Sequence, residues 1–287
     1  MKKFVSDDTY HIVYEDLSEF FSHTDPSKPS SDMHRSNVDK HEEIKRRTRG
    51  SDNWTYGDEE RRNTFLDVRF DPAKGKNLCL EAVKKTMADS AYKKLVRQAL
   101  TYKKRISFQD HGFRLNVSKA ISGEDRYFSV YSNARKPIVK IAINICGSAC
   151  VGQEEFKKVA QTAIPTIYAL ETAGIATEVY YTAFAEGTHN VDDFSYSATH
   201  VKIKSARERF NWTTFAPVFC LGSYRESIFL SWINSEHKVD SGLGTPMPDS
   251  SIKRKNNYGY TSVIGLNAVG PAKVVSEIFQ KIGKKEC

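Results

Sequence analysis

The chain has 287 residues, 39% of them hydrophobic, and a mass of 32.5 kDa with a mean hydropathy of −0.53. That length suits one large domain or two modest ones. No apolar run approaches the roughly 18 residues a membrane helix needs, and no apolar core follows the basic start at Lys2 and Lys3. Neither a membrane span nor a signal peptide is expected, and a cytoplasmic setting is.

Lysine and arginine outnumber aspartate and glutamate by 43 to 35, for a formal net charge of +8. The excess is uneven. Residues 1–70 carry 12 basic and 15 acidic side chains, whereas residues 71–110 carry 10 and 4. A clustered positive field attracts polyanions and speeds their encounter. The plain alternative is the solvated face of a helix. The five cysteines, Cys79, Cys146, Cys150, Cys220 and Cys287, are odd in number and sparse. Reduced thiols are the expectation.

In chain order, residues 10–14 read as a short strand and 15–21 as an acidic helical turn with Leu17, Phe20 and Phe21 on one side. From 23 to 60 apolar residues almost vanish. This stretch is expected to be a surface arm or a disordered segment, because it buries too little to offset the entropy of ordering. Residues 64–70 suggest a strand. Residues 78–105 read as one basic helical segment, with Leu80, Val83, Met87, Leu95 and Leu100 as its apolar stripe. A loop or short helix over 112–122 and a strand over 126–131 follow.

The second half is more regular. Residues 138–145 are mostly apolar and β-branched, the pattern of a buried parallel strand. Residues 154–173 keep a helical period through Val159, Ala160, Ile164, Ile167 and Leu170. Pro165 should kink that helix and Gly174 should stop it. A strand over 177–184 completes a β-α-β unit. Residues 186–198 read as a loop, and 200–204 as an edge strand with Lys202 and Lys204 outward. A broken helix over 213–232, a loop over 235–257, a strand over 261–266 and a helix opening at Pro271 complete the chain. The order predicts an α/β fold: a doubly wound, mostly parallel, Rossmann-like sheet over 137–283, with an irregular α+β region over 1–136.

Ligands of such sheets bind outside the carboxyl ends of strands. The first turn of that kind reads Asn144-Ile145-Cys146-Gly147-Ser148. With the helix and strand that follow, it resembles the von Willebrand factor A-type domain over roughly 137–283. That family holds a divalent metal with an Asp-x-Ser-x-Ser turn. Here Asn144 stands at the Asp position, Cys146 at the first Ser, and only Ser148 matches. An amide and a thiol replace the charged oxygens that a hard cation wants, so a degenerate, metal-free site is expected. A thiol nucleophile at Cys146 or Cys150 is a further possibility, since a helix N-terminus lowers a thiol pKa. No Gly-x4-Gly-Lys-Ser/Thr loop, His-Glu-x-x-His or paired-carboxylate signature is present.

Basic clusters interleaved with aromatics stand out more. One comprises Lys84, Lys85, Tyr92, Lys93, Lys94, Arg97, Tyr102, Lys103, Lys104 and Arg105. A second comprises Lys253, Arg254, Lys255 and Tyr258, followed by Tyr260. A third runs from Lys45 to Arg49, near Trp54 and Tyr56. Cations that neutralise phosphates, with rings that stack on bases, are the means of single-strand binding. Taken whole, the chain resembles tailed-bacteriophage proteins with a degenerate A-type domain. In size and charge it is similar to phage single-stranded DNA-binding cofactors of RNA polymerase. The expected function is non-enzymatic single-stranded DNA binding without a cofactor, as a transcription or replication cofactor. The alternative is a protein-interaction adaptor that docks an RNA polymerase or an AAA+ ATPase through the rim at Asn144, Cys146 and Ser148.

Overall fold

The computed structural model describes residues 1–25, 29–49, 72–102, 106–109, 114–115, 121–122, 128–131, 138–146, 153–191, 194–208, 210–211, 215, 221–239, 245–246, 252 and 258–283. The elements in order are β1 (Lys2–Ser6), β2 (Thr9–Tyr14), α1 (Leu17–His23), a 3-10 turn (Arg35–Asn37), α2 (Val38–Arg49), α3 (Pro72–Thr86) and α4 (Ser90–Tyr102). Then come β3 (Ile106–Gln109), β4 (Arg114–Leu115), β5 (Phe128–Tyr131), β6 (Ile138–Asn144), α5 (Gln153–Thr172), β7 (Ala176–Val191) and β8 (Phe194–Lys204). The last are α6 (Leu221–Ile233), β9 (Thr245–Pro246), β10 (Ser262–Ile264) and α7 (Pro271–Gly283).

The main sheet runs β1-β2-β8-β7-β6-β10, with β9 on β7, and β3-β5-β4 form a separate small sheet. Along the main path the β2/β8, β6/β7 and β6/β10 pairs are parallel, and the β1/β2 and β7/β8 pairs are antiparallel. The protein is therefore mixed α/β. Alternation sorts the side chains. Val139, Ile141 and Ile143 of β6 share one face with Val179, Tyr181 and Ala183 of β7, Val201 of β8, and Tyr10, Ile12 and Tyr14 of β2. Against this face pack Phe20 of α1, Val83 of α3, Val159, Ala163 and Ile167 of α5, Leu230 of α6 and Ile278 of α7. The opposite face carries Ala142, Tyr180, Phe184 and Ala198, covered by Ile252, Tyr258 and Tyr260. Among the described residues the helices gather on one face rather than both.

Local signals place several elements where expected. Burial on both sides suits β6, which has a parallel neighbour on either flank. Gly174, at φ 79°, ends α5 with Ile175 N–H donating to Leu170 O and Gly174 N–H to Glu171 O, both 2.9 Å. This is a Schellman motif, and Leu170 and Ile175 both join the core. Pro165 lies within α5 as the sequence requires. Asp16 caps α1 by accepting Glu19 N–H at 2.8 Å.

Four expectations need correction. First, the boundary at 136/137 does not separate two sheets. β2 pairs in parallel with β8, Thr9 opposite Tyr196 through Tyr14 opposite Val201, so the first residues belong to the same sheet as the last. Second, part of the polar arm 23–60 is helical. Asn37 Nδ2 donates to Ile233 O (3.0 Å) and His237 O (2.9 Å), and its Oδ1 accepts Val239 N–H (3.0 Å). Polar anchoring of this kind leaves no apolar signature. Third, the loop at 186–198 is mostly strand, the β7–β8 hairpin. β8 is interior, and Lys204 is 2% exposed, bridged to Glu171 at 2.9 Å and donating to Thr177 O. The flank of β8 is covered up to Val201 by β2, a partner too distant in sequence to be anticipated. Fourth, the basic segment 78–105 is two helices. Asp89 accepts Ala91 N–H at 2.8 Å and starts α4 afresh. The expected strand at 64–70 lies outside the described residues.

Candidate functional site

The turn that begins at Asn144 lies at the carboxyl end of β6, between β7 and β10. Asn144 is buried and its Oδ1 accepts Cys146 N–H at 3.1 Å. The carboxamide thus closes its own turn, and Cys146 is buried beside it. Neither offers an exposed contact group to a partner, which corrects that part of the adaptor reading. Ser148 and Cys150 lie outside the described residues.

The helical cluster divides by burial. Lys84 and Lys85 on α3, and Lys93, Lys94 and Arg97 on α4, are all exposed. Lys93 and Arg97 stand four apart and share a helix face. None of the five makes an ion pair among the described residues. The exposed acids on this ridge are Glu81 and Asp89, and Asp89 is held at the start of α4. Tyr92 points the other way. It is 0% exposed, packs with Val96, Ala169 and Val275, and donates its hydroxyl to Pro165 O at 2.6 Å. Burial raises its pKa. The expectation that Tyr92 stacks on bases is therefore corrected: α4 turns this ring onto α5 as core. Tyr102 is the last residue of α4. Lys103, Lys104 and Arg105 lie outside the described residues, as do Lys253, Arg254 and Lys255.

Tyr258 is likewise committed internally. Its ring stacks on His200, with centroids 4.3 Å apart and planes at 12°, and meets Tyr180 edge-on at 5.3 Å. The Lys140 ammonium lies 3.7 Å from its centroid. Burial lowers the Lys140 pKa against the opposing pull of Glu178. An open stacking platform at Tyr258 is corrected by these contacts. Sequence reasoning missed Lys140, Tyr180 and His200 as a group. The available signal was alternation: all three fall on the face opposite the apolar positions of their strands.

A cavity of about 580 Å³ lies outside the carboxyl ends of β2 and β8, lined in part by Glu15, Asp16, Lys202, Lys204, Glu208 and Phe215. Its charges are satisfied internally, since Lys202 pairs with Glu15 and Lys204 with Glu171. The hydrogen bond from Lys202 lowers the Glu15 pKa. No group of three or more candidate metal ligands occurs among the described residues. No described helix is long and apolar enough to cross a membrane.

The fold is thus a mixed α/β sheet whose described helices gather on one face, with exposed basic side chains on α3 and α4. The chain belongs to the family described as a domain of unknown function, DUF7192, whose profile matches residues 3–286. No curated protein and no solved structure matches it. The family match spans both halves of the chain, in keeping with a sheet that joins them.

Proposed function

We propose that this protein binds nucleic acid through the ridge of α3 and α4. The observation that carries the reading is five exposed cations, Lys84, Lys85, Lys93, Lys94 and Arg97, with no ion pair among the described residues. Exposed cations without an ionic partner release counterions when they meet phosphates, and this supplies affinity without base readout. The ridge has a binding role with no chemistry of its own. Preference for single strands turns on stacking. With Tyr92 in the core and Tyr258 engaged, that role falls to Tyr102, next in sequence to Lys103, Lys104 and Arg105.

The finer fold reading, a degenerate A-type domain, belongs to this proposal. Its support is the β6-α5-β7 crossover with Asn144 at the strand end. Action beside an RNA polymerase, as a single-stranded DNA-binding cofactor, is the corresponding partner reading.

The test is fluorescence anisotropy with labelled single-stranded and duplex oligonucleotides at several salt concentrations. The triple variant Lys93→Ala, Lys94→Ala, Arg97→Ala should lower the slope of log affinity against log salt by about 2, near 0.7 per lost phosphate contact on a single strand. Tyr102→Ala should weaken single-strand binding more than duplex binding. An unchanged slope in the triple variant removes the ridge from the interface.

A further inference from the structure

The sheet face away from the helices carries a hydrogen-bonded series that nucleic-acid binding does not use. Ser6 Oγ lies 3.0 Å from His11 Nε2, His11 Nδ1 lies 2.9 Å from His200 Nε2, and His200 Nδ1 lies 2.6 Å from the Tyr260 hydroxyl. Ser6, His11 and His200 come from β1, β2 and β8, three adjacent strands. The order of nitrogens matters. An imidazole that faces a hydroxyl with Nε2 and a fixed acceptor with Nδ1 is the base-and-orienter pair of an activated serine. One tautomer set satisfies every link in that direction. Ser6 donates to His11, His11 Nδ1–H to His200, and His200 Nδ1–H to the Tyr260 oxygen.

Three further observations converge on Ser6. The two residues after it, Asp7 and Asp8, have φ of 43° and 62° and form the two-residue turn that closes the β1–β2 hairpin between Ser6 and Thr9. Their amides donate to no described residue. The amide that follows a nucleophile is a usual oxyanion donor. Phe4, two residues back on the same face, is 41% exposed and stacks on His11 at 4.7 Å. It offers an apolar platform beside the hydroxyl. Burial lowers the His11 pKa to about 4 against the opposing pull of the Asp7 charge and the Ser6 backbone, so the ring is neutral at pH 7, and in the tautomer with hydrogen on Nδ1 its Nε2 lone pair faces Ser6. A base that weak suits a good leaving group rather than an amide. The carboxylates of Asp7 and Asp8 disfavour an anionic substrate.

We propose that Ser6 is an acyl-accepting nucleophile toward small uncharged esters, with His11 as its base and His200 and Tyr260 as positioning residues. Ser6 Oγ forms a bond to the ester carbonyl carbon as its proton passes to His11 Nε2. The carbon–oxygen bond to the leaving alcohol then breaks, and that alcohol takes the proton from His11. Water, deprotonated by His11, attacks the acyl-serine. The acid leaves, and Ser6 recovers its proton.

The experiment treats the full chain with p-nitrophenyl acetate and, separately, with a biotinylated fluorophosphonate, followed by intact mass and peptide mapping. The expected result is one phosphonyl adduct, on Ser6, formed with loss of fluoride. It should come with p-nitrophenolate release that falls about 100-fold in Ser6→Ala. His200→Gln should lower kcat by about tenfold or more with KM held within about twofold, a split that general loosening of the fold would not give. Should Ser6→Ala melt early, S6C serves instead: its introduced thiol should react with iodoacetamide faster than in S6C combined with His11→Gln. An adduct elsewhere, no adduct, an undiminished rate in Ser6→Ala, or equal alkylation in the two thiol variants overturns the proposal. The ridge lies on the helical side of the sheet, so the outcome is independent of nucleic-acid binding.

Discussion

Lys140 and Tyr258 hold each other twice. The ammonium sits 3.7 Å from the ring centroid and also donates to the Tyr258 carbonyl at 2.9 Å. One side chain on β6 thereby pins the segment that covers the second sheet face. Lys140→Met keeps the aliphatic stem and removes both contacts. The expected loss is about 1–2 kcal/mol, from a cation–π contact and a charged hydrogen bond at a partly exposed site. Urea denaturation measures it, and an unchanged midpoint would deny the contact any role in stability.

His11 and His200 make stability depend on pH. Burial lowers the pKa of His11 to about 4, and that of His200 falls well below its ordinary value, with His11 and Lys140 adding to the effect. Between pH 6.5 and 4 the unfolded chain therefore binds more protons than the folded one, so stability rises with pH across that window and falls on acidification. His11 alone accounts for about 3 kcal/mol by the acid end. His23, lowered to about 4 chiefly by burial, acts in the same direction. Unfolding midpoints at pH 7.5, 6 and 5 should decline in turn. A flat series would mean that the histidines titrate alike in both states.

Tyr92→Phe separates core from interface. It deletes the hydroxyl that donates to Pro165 O and leaves a buried carbonyl without that donor. A stability loss of about 1 kcal/mol is expected. Nucleic-acid affinity should stay within about twofold, since the ring never reaches the surface. A large affinity loss at unchanged stability would return Tyr92 to the binding surface.

Asn37 ties α2 to α6 by hydrogen bonds to Ile233, His237 and Val239. Asn37→Ala strands the buried Ile233 carbonyl and Val239 amide, while the part-buried His237 carbonyl keeps the Ser235 hydroxyl at 3.3 Å, and the cost is about 2–3 kcal/mol. The loss should be local, so limited proteolysis within 38–49 should accelerate before the global midpoint moves far. Uniform protection of that helix in the variant would mean that other contacts hold it.

Periodicity revealed what was local. β6, α5, the Gly174 stop and α7 with Pro271 at its start all follow from apolar spacing and cap chemistry within a few residues. What stayed hidden depends on partners far away in sequence. Lys202 and Lys204 alternate like an edge strand, yet β2 pairs with β8 up to Val201 just before them, and Lys204 is buried against Glu171 and the Thr177 carbonyl. His11 and His200 are unremarkable singly and become a pair only when β2 and β8 align. Asn37 looks like polar filler, because its worth lies in three backbone groups near residue 235. The basic ridge was legible as charge, but the direction of Tyr92 was not. A tyrosine among lysines serves either as core or as surface, and only the packing of α4 on α5 decides which.

The β2/β8 pairing also sets a timetable. Asp8 and Ser195, which meet at its start, are 187 residues apart. At about 5–20 residues per second, a ribosome needs roughly 10–40 s to travel from one to the other. Through that interval β1 and β2 exist as a hairpin with no third strand, a unit marginal in water at best. β1 and β2, made well before β8, thus wait longest to find their place. The final closure of the sheet waits on the late arrival of β8 rather than on the early hairpin.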